Sequence, residues 1–172
     1  QGDGMTYLYL PSDEEQYRNY FSHVNPYRLP GTTVVQLPRE VKQAVQPLYA
    51  MPAAAADEAR AGGVSLQGCS SAMMQLVGSV SDLRAKKSWF MLPREVVCLG
   101  ADISCSDTSQ VITTVENRRT LSPLSVWPVP RRLHRLSSAS DRSVGPSRLA
   151  YLDGVGAYWF PDSAMLFANI TD

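Results

Sequence analysis

Short apolar runs separated by turn residues set the pattern of this chain, and they repeat at strand length rather than helix length. Between Ala85 and Arg118 two runs, Ser88–Leu92 and Glu95–Leu99, flank Pro93-Arg94, and a third follows at Gln110–Val115. This spacing predicts three antiparallel strands joined by turns. Met5–Leu10, rich in tyrosine and apolar residues, and Thr32–Leu37, rich in β-branched residues, predict two earlier strands. Val64–Leu66 and Ala72–Val77 predict two more, with Met73 and Met74 packed inside. Leu124–Val129, Ala150–Leu152, Gly156–Phe160 and Ala164–Ile170 complete the set, with Asp153-Gly154 as a hairpin turn.

Two interruptions have helical character. Ser12 offers an N-cap before Asp13-Glu14-Glu15, and Tyr17, Tyr20 and Phe21 recur at i, i+3, i+4, predicting a short amphipathic helix through about Ser22. Pro38 suits the first turn of a marginal helix towards Ala50, with Pro47 interrupting it. The alanine-rich stretch from Met51 to Gly63 reads as a surface insertion. Arg119 to Arg148, with its prolines and serines, reads as loop apart from the one strand.

Composition narrows the class. A length of 172 residues suffices for a real core, and 44% hydrophobic with 19% charged residues fits a globular protein. Sixteen basic and sixteen acidic residues give zero net charge, hence no overall steering towards nucleic acid or an acidic membrane. No apolar run approaches the roughly 20 residues that span a bilayer. The start, Gln1-Gly2-Asp3-Gly4-Met5, lacks the blocks of a signal peptide, and the chain reads as an internal piece of a longer polypeptide. Cys69, Cys98 and Cys105 have neither disulfide-framework nor zinc spacing; Cys98 reads as a small packed hydrophobe, with a Cys98–Cys105 bridge the lesser alternative.

Several stretches together are similar to the central β domain of polysaccharide lyase family 8, which includes hyaluronate, chondroitin AC and xanthan lyases. Gly2-Asp3-Gly4-Met5-Thr6-Tyr7-Leu8-Tyr9 resembles the family's GDGMTYLY segment. Asn25-Pro26-Tyr27-Arg28-Leu29-Pro30-Gly31-Thr32-Thr33-Val34 resembles DPYRLPGTTV, with Asn25 replacing the usual Asp. Gly62-Gly63, the Lys86–Phe90 and Val97–Ile103 runs, Thr113–Arg118 and Asp153–Pro161 follow in the family's order. The resemblance implies a mainly β fold, a fragment of an antiparallel β super-sandwich (galactose-mutarotase-like) with one or two short helices. It implies that residues 1–172 are the first part of that central domain, following an (α/α) toroid that is absent here.

The implied reaction is β-elimination at the 4-O of a uronic acid in a secreted enzyme. Its catalytic Asn, His, Tyr and Arg come from the toroid, with a Glu from a Glu-x-x-Asn run before the GDGM segment. No catalytic residue is therefore expected in this chain. Candidate substrate-binding residues are Arg28, Tyr27, Tyr49, Asn117 and Arg118.

Each candidate also has a plainer reading. Arg28 pairs either a sugar carboxylate or a buried structural carboxylate, and Asn117 and Arg118 either reach the cleft or fix a loop. Tyr49 and Tyr27 are the candidate aromatic faces for a sugar ring. Trp89 reads as core, and Lys86 and Lys87 cannot both point inward. His23 reads as a loop residue and His134 as part of a solvated basic cluster. Some relatives bind calcium near the PGTT loop; Asn25, Tyr27 and Gln36 supply too little charge there, so no metal and no cofactor are expected. Expected partners are an acidic polysaccharide and the remaining domains of the same protein. Asn169-Ile170-Thr171 reads as a plain strand end despite its sequon. The alternative function is a stand-alone carbohydrate-binding or adhesion module.

Overall fold

A computed structural model describes residues 3–11, 13–38, 59–78, 81–130, 133–136 and 140–170. The chain forms two compact units. One comprises residues 1–9 and 15–117, the other residues 10–14 and 118–172. All strand pairings among the described residues are antiparallel.

The first unit holds β1 (Thr33–Val35), β2 (Arg60–Leu66), β3 (Cys69–Val77), β4 (Arg84–Met91), β5 (Val96–Ser104) and β6 (Val111–Thr113). β2 to β5 form a meander in chain order, while β1 pairs with β6. Gln67 and Gly68, both with positive φ (47° and 83°), make the two-residue turn from β2 to β3, the backbone a tight hairpin needs. One sheet face buries Leu76 and Ala85 with Leu83, and Met74 packs against them. The opposite face leaves Val64, Met73, Phe90 and Leu99 exposed.

The second unit is a four-stranded sheet in the order β10-β9-β7-β8, from β7 (Leu124–Pro128), β8 (His134–Leu136), β9 (Ser140–Leu152) and β10 (Gly156–Ile170). Its core is Val126, Leu136 and Ala150, with Tyr158, Leu166, Ala168 and Ile170 packed against them. Asp153-Gly154 does turn β9 into β10: Gly154 has φ +73° and Val155 N–H donates to Leu152 O at 3.0 Å.

The mainly antiparallel β architecture agrees with the sequence expectation; several elements differ. Met5–Leu10 is not a strand. Side chains take the place of a ladder there: Tyr17 Oη accepts from Leu8 N at 3.0 Å and Asp13 Oδ1 from Leu10 N at 2.8 Å. The amphipathic helix reduces to turns and a 3-10 segment, Tyr20–Ser22, because Asn19 adopts a left-handed φ of 53° that an α-helix cannot continue through.

The third strand of the Ala85–Arg118 stretch, β6, leaves the meander to pair with β1, Thr33 opposite Thr113. Gly62-Gly63 lies inside β2. Glycine suits Gly63, where a Cβ would meet Ser71 O at 2.5 Å. The serine-rich stretch before Arg148 supplies β8 and most of β9, their extended form imposed by pairing of β8 with β7 and of β9 with β10. The two predicted terminal strands are one, β10, with a register shift between Trp159 and Ala164. Cys98 and Met73 are exposed, and all three cysteines are free. Residues 39–50 of the expected Pro38–Ala50 helix lie outside the described residues.

Candidate functional site

The motif-bearing segments of the first unit meet at one point. Gly4 and Gly31 both have φ +80°, and a Cβ on Gly31 would lie 2.7 Å from Gly4 O and 2.8 Å from Thr6 Oγ1. Only glycine permits that approach. Around this contact Thr6 N donates to Pro30 O at 2.9 Å, and Gly31 N donates to Thr114 O at 2.7 Å. The GDGM, PGTT and TTVEN runs are thereby joined.

β4 supplies the remaining component. Alternation sends Lys86 and Lys87 to opposite faces. Lys86 is exposed and pairs with Asp102 at 2.6 Å. Lys87 is buried, its Nζ donating to Gly31 O and lying 5.3 Å from the centre of the Trp89 ring. A methyl on Gly4 would lie 3.4 Å from that Nζ and 3.3 Å from Trp89. Burial pushes the Lys87 amine below its ordinary pKa, with Cys98 acting weakly in the other direction. Trp89 thus serves as the aromatic face for a buried cation.

The five sequence-nominated residues fall in different places. Asn25 Oδ1 accepts from Tyr27 N at 2.9 Å and Arg28 N donates to Asn25 O at 2.9 Å, so a side-chain-capped turn presents Tyr27 and Arg28 half-buried. The Arg28 guanidinium donates to the Gln36 side-chain carbonyl and to Tyr27 O, an amide partner rather than the carboxylate of the structural reading. Asn117 Nδ2 donates to Arg28 O at 2.8 Å, and Tyr20 Oη donates to Asn117 O at 2.9 Å. Arg28, Tyr27 and Asn117 are brought together.

Arg118 belongs to the second unit. Its buried guanidinium pairs with Asp13 at 2.7 Å. Tyr49 lies outside the described residues. His23 and His134 are exposed, and among the described residues there is no cluster of potential metal ligands.

Sequence reasoning missed an aromatic cluster in the first unit. Tyr7 and Tyr9, two residues apart, hold nearly parallel rings (12°) with centres 6.4 Å apart. Tyr17 meets both edge-on at 5.0 and 5.1 Å. The cluster continues through Tyr20 to Phe21. Beside it lies a cavity of about 390 Å³ lined by Gly4, Met5, Tyr7, Phe21, Val24, Pro26 and Leu29. The signal was present in the i, i+2 tyrosines and the Tyr17/Tyr20/Phe21 spacing, which read instead as a strand and a helix face.

Cations and amides fixed by internal contacts can bind and hold, whereas proton transfer needs a group titrating near working pH. The fold is an antiparallel β scaffold in which these cationic and amide side chains are fixed by internal contacts.

The chain belongs to polysaccharide lyase family 8: the family model described as "Polysaccharide lyase family 8, super-sandwich domain" matches residues 1–172. It is 37% identical over 97% of its length to a hyaluronate lyase of Thermasporomyces composti, and 34% identical over 97% to hyaluronate lyase HylB of Cutibacterium acnes. It spans about a fifth of the length of these relatives, 21% and 20%. Among solved structures, a Paenibacillus xanthan lyase matches 96% of the chain with TM-score 0.74 and 30% identity, the chain covering 16% of it. A Streptomyces coelicolor A3 chondroitin AC lyase in complex with chondroitin sulphate matches 87% with TM-score 0.55 and 28% identity, 18% of it covered.

Proposed function

We propose that this chain is the first part of the central β-sandwich of a secreted polysaccharide lyase. The enzyme cleaves uronic-acid-containing glycans of hyaluronan, chondroitin or xanthan type by β-elimination. The observation that carries this reading is the family match along the whole chain, with a hyaluronate lyase 37% identical over 97% of it. The role proposed for the chain is to wall one side of the substrate cleft and support an upstream catalytic toroid.

The chemistry explains that division of labour. Elimination removes a weakly acidic C5 proton, so the neighbouring carboxylate must be neutralised as the enolate develops, and a base and an acid must flank the breaking bond. Internally held Arg28, Asn117 and Lys87 suit a wall that offers fixed cations and amides rather than proton transfer.

The test is the full-length protein incubated with hyaluronan, chondroitin and xanthan while the ultraviolet absorbance of the unsaturated product is followed. Absorbance growth with at least one polymer, and none with residues 1–172 alone, is expected. No product from any of the three polymers refutes the lyase reading, and product from residues 1–172 alone refutes the placement of catalysis upstream. Recovery of the protein from culture medium checks secretion.

A further inference from the structure

The aromatic-rimmed cavity of the first unit has the features of a ligand site that none of the residues nominated from sequence forms. Its volume, about 390 Å³, falls within the range of small-molecule pockets, and the apolar side chains of Met5, Phe21, Val24, Pro26 and Leu29 line it together with Tyr7. Tyr7 and Phe21, on the wall, are both exposed, as is neighbouring Tyr9. The tyrosines are also fixed before any ligand arrives: Tyr17 Oη holds Leu8 N, and the Tyr17 ring braces Tyr7 and Tyr9 edge-on. The Tyr7 and Tyr9 rings, held in this way, present broad apolar faces at little cost in conformational entropy.

Charge distinguishes the occupant. Gly4 lines the cavity, and behind it lies the Lys87 ammonium, 3.4 Å from where a Gly4 methyl would sit. Its described contacts are the Gly31 carbonyl and the Trp89 face, so no carboxylate neutralises it there. A buried cation in a low-dielectric surround projects its field into the adjoining cavity.

We infer that this cavity, walled by Tyr7 and Phe21 with Tyr9 beside it and Lys87 behind Gly4, is an accessory binding site for an anionic, uronic-acid-bearing oligosaccharide. Pyranose faces lie on the rings, and the sugar carboxylate is drawn to the Lys87 side. The choice of an acidic glycan rests on the lyase reading above.

The test uses the full-length protein with a hyaluronan hexasaccharide, its carboxyl-reduced counterpart, and saturation-transfer NMR. The hexasaccharide is expected to bind and to shield Tyr7 and Tyr9 from nitration by tetranitromethane. Tyr7→Ala and Phe21→Ala should each weaken binding about five- to tenfold, with Tyr7→Phe close to the parent. The parent should prefer the charged sugar over the reduced one, and Lys87→Met should erase that preference. In hyaluronan cleavage the Tyr7→Ala loss should reside in KM.

If the protein cleaves no polymer yet binds the hexasaccharide through Tyr7, the site stands and the lyase reading falls. If it cleaves hyaluronan while Tyr7→Ala and Phe21→Ala, with unchanged melting temperatures, bind and turn over like the parent, the site falls and the lyase reading stands. Should Tyr7→Ala fail to fold, exposed Phe21 carries the same comparison. Tyrosines already protected from nitration without sugar mean that another part of the polypeptide covers them, which overturns the inference.

Discussion

Replacing Gly31 with alanine should damage this protein more than the same change at Gly68, although the two glycines share nearly the same backbone angle. Gly31 has φ +80° and Gly68 +83°, so each alanine pays the same conformational penalty, about 1–2 kcal/mol for a left-handed residue. The surroundings differ. A Cβ on Gly68 meets nothing within 4 Å. On Gly31 it would sit 2.7 Å from Gly4 O and 2.8 and 2.9 Å from Thr6 Oγ1 and Cγ2, and the first of these is backbone that cannot rotate away. Relief requires the GDGM segment to shift, straining the Thr6–Pro30 bond and the Lys87 contact to Gly31 O. Overpacking of this kind adds about 1–3 kcal/mol, so Gly31→Ala should cost roughly 2–5 kcal/mol against about 1–2 for Gly68→Ala. Denaturant unfolding of the two variants beside the parent, read as midpoint shifts at unchanged slope, gives the comparison. Equal losses at the two positions would show that the meeting of Gly4, Thr6 and Gly31 carries no packing energy.

The remaining predictions concern charge. Burial lowers the Lys87 pKa in the folded protein, so between the folded and unfolded values the unfolded chain binds the extra proton. The contribution of Lys87 to stability should therefore rise as pH climbs from below the depressed pKa towards the usual lysine value, and level off on either side. Stability-versus-pH curves for the parent and Lys87→Met should diverge in that alkaline window; parallel curves refute the assignment. In the second unit, Asp13→Ala removes one carboxylate partner of the buried Arg118 guanidinium and the acceptor of Leu10 N, and should cost about 1–3 kcal/mol. Asp13→Asn, which keeps an acceptor for Leu10, should cost less in the same unfolding assay.

The strand content was legible because alternation and turn residues are local signals. Leu124–Val129 and the Asp153-Gly154 hairpin lie where the pattern put them. Partners were less legible. Nothing in Gln110–Val115 announces that β6 abandons its neighbour in sequence for β1, since that choice is made by the meeting of Gly31 with Thr114. The tyrosines misled for a related reason. Tyr7 and Tyr9 alternate like a strand, yet Tyr17 and Asp13 satisfy the adjacent amides and remove the need for one. At the candidate site, alternation required Lys86 and Lys87 to part, but only the fold shows which is buried. Arg28 and Asn117, nominated separately, proved to be joined through Arg28 O. Arg118, beside Asn117 in sequence, belongs to a different unit.

The Asp13–Arg118 pair has a consequence for biosynthesis. The two residues are 105 positions apart, and between them lies nearly the whole of the first unit. At roughly 5–20 residues per second, Asp13 is made about 5–20 seconds before its partner. During that interval the first unit's strands can begin pairing, whereas residues 10–14 have no sheet to join. The short segment that belongs to the later unit therefore takes its place only after nearly the whole first unit has been made.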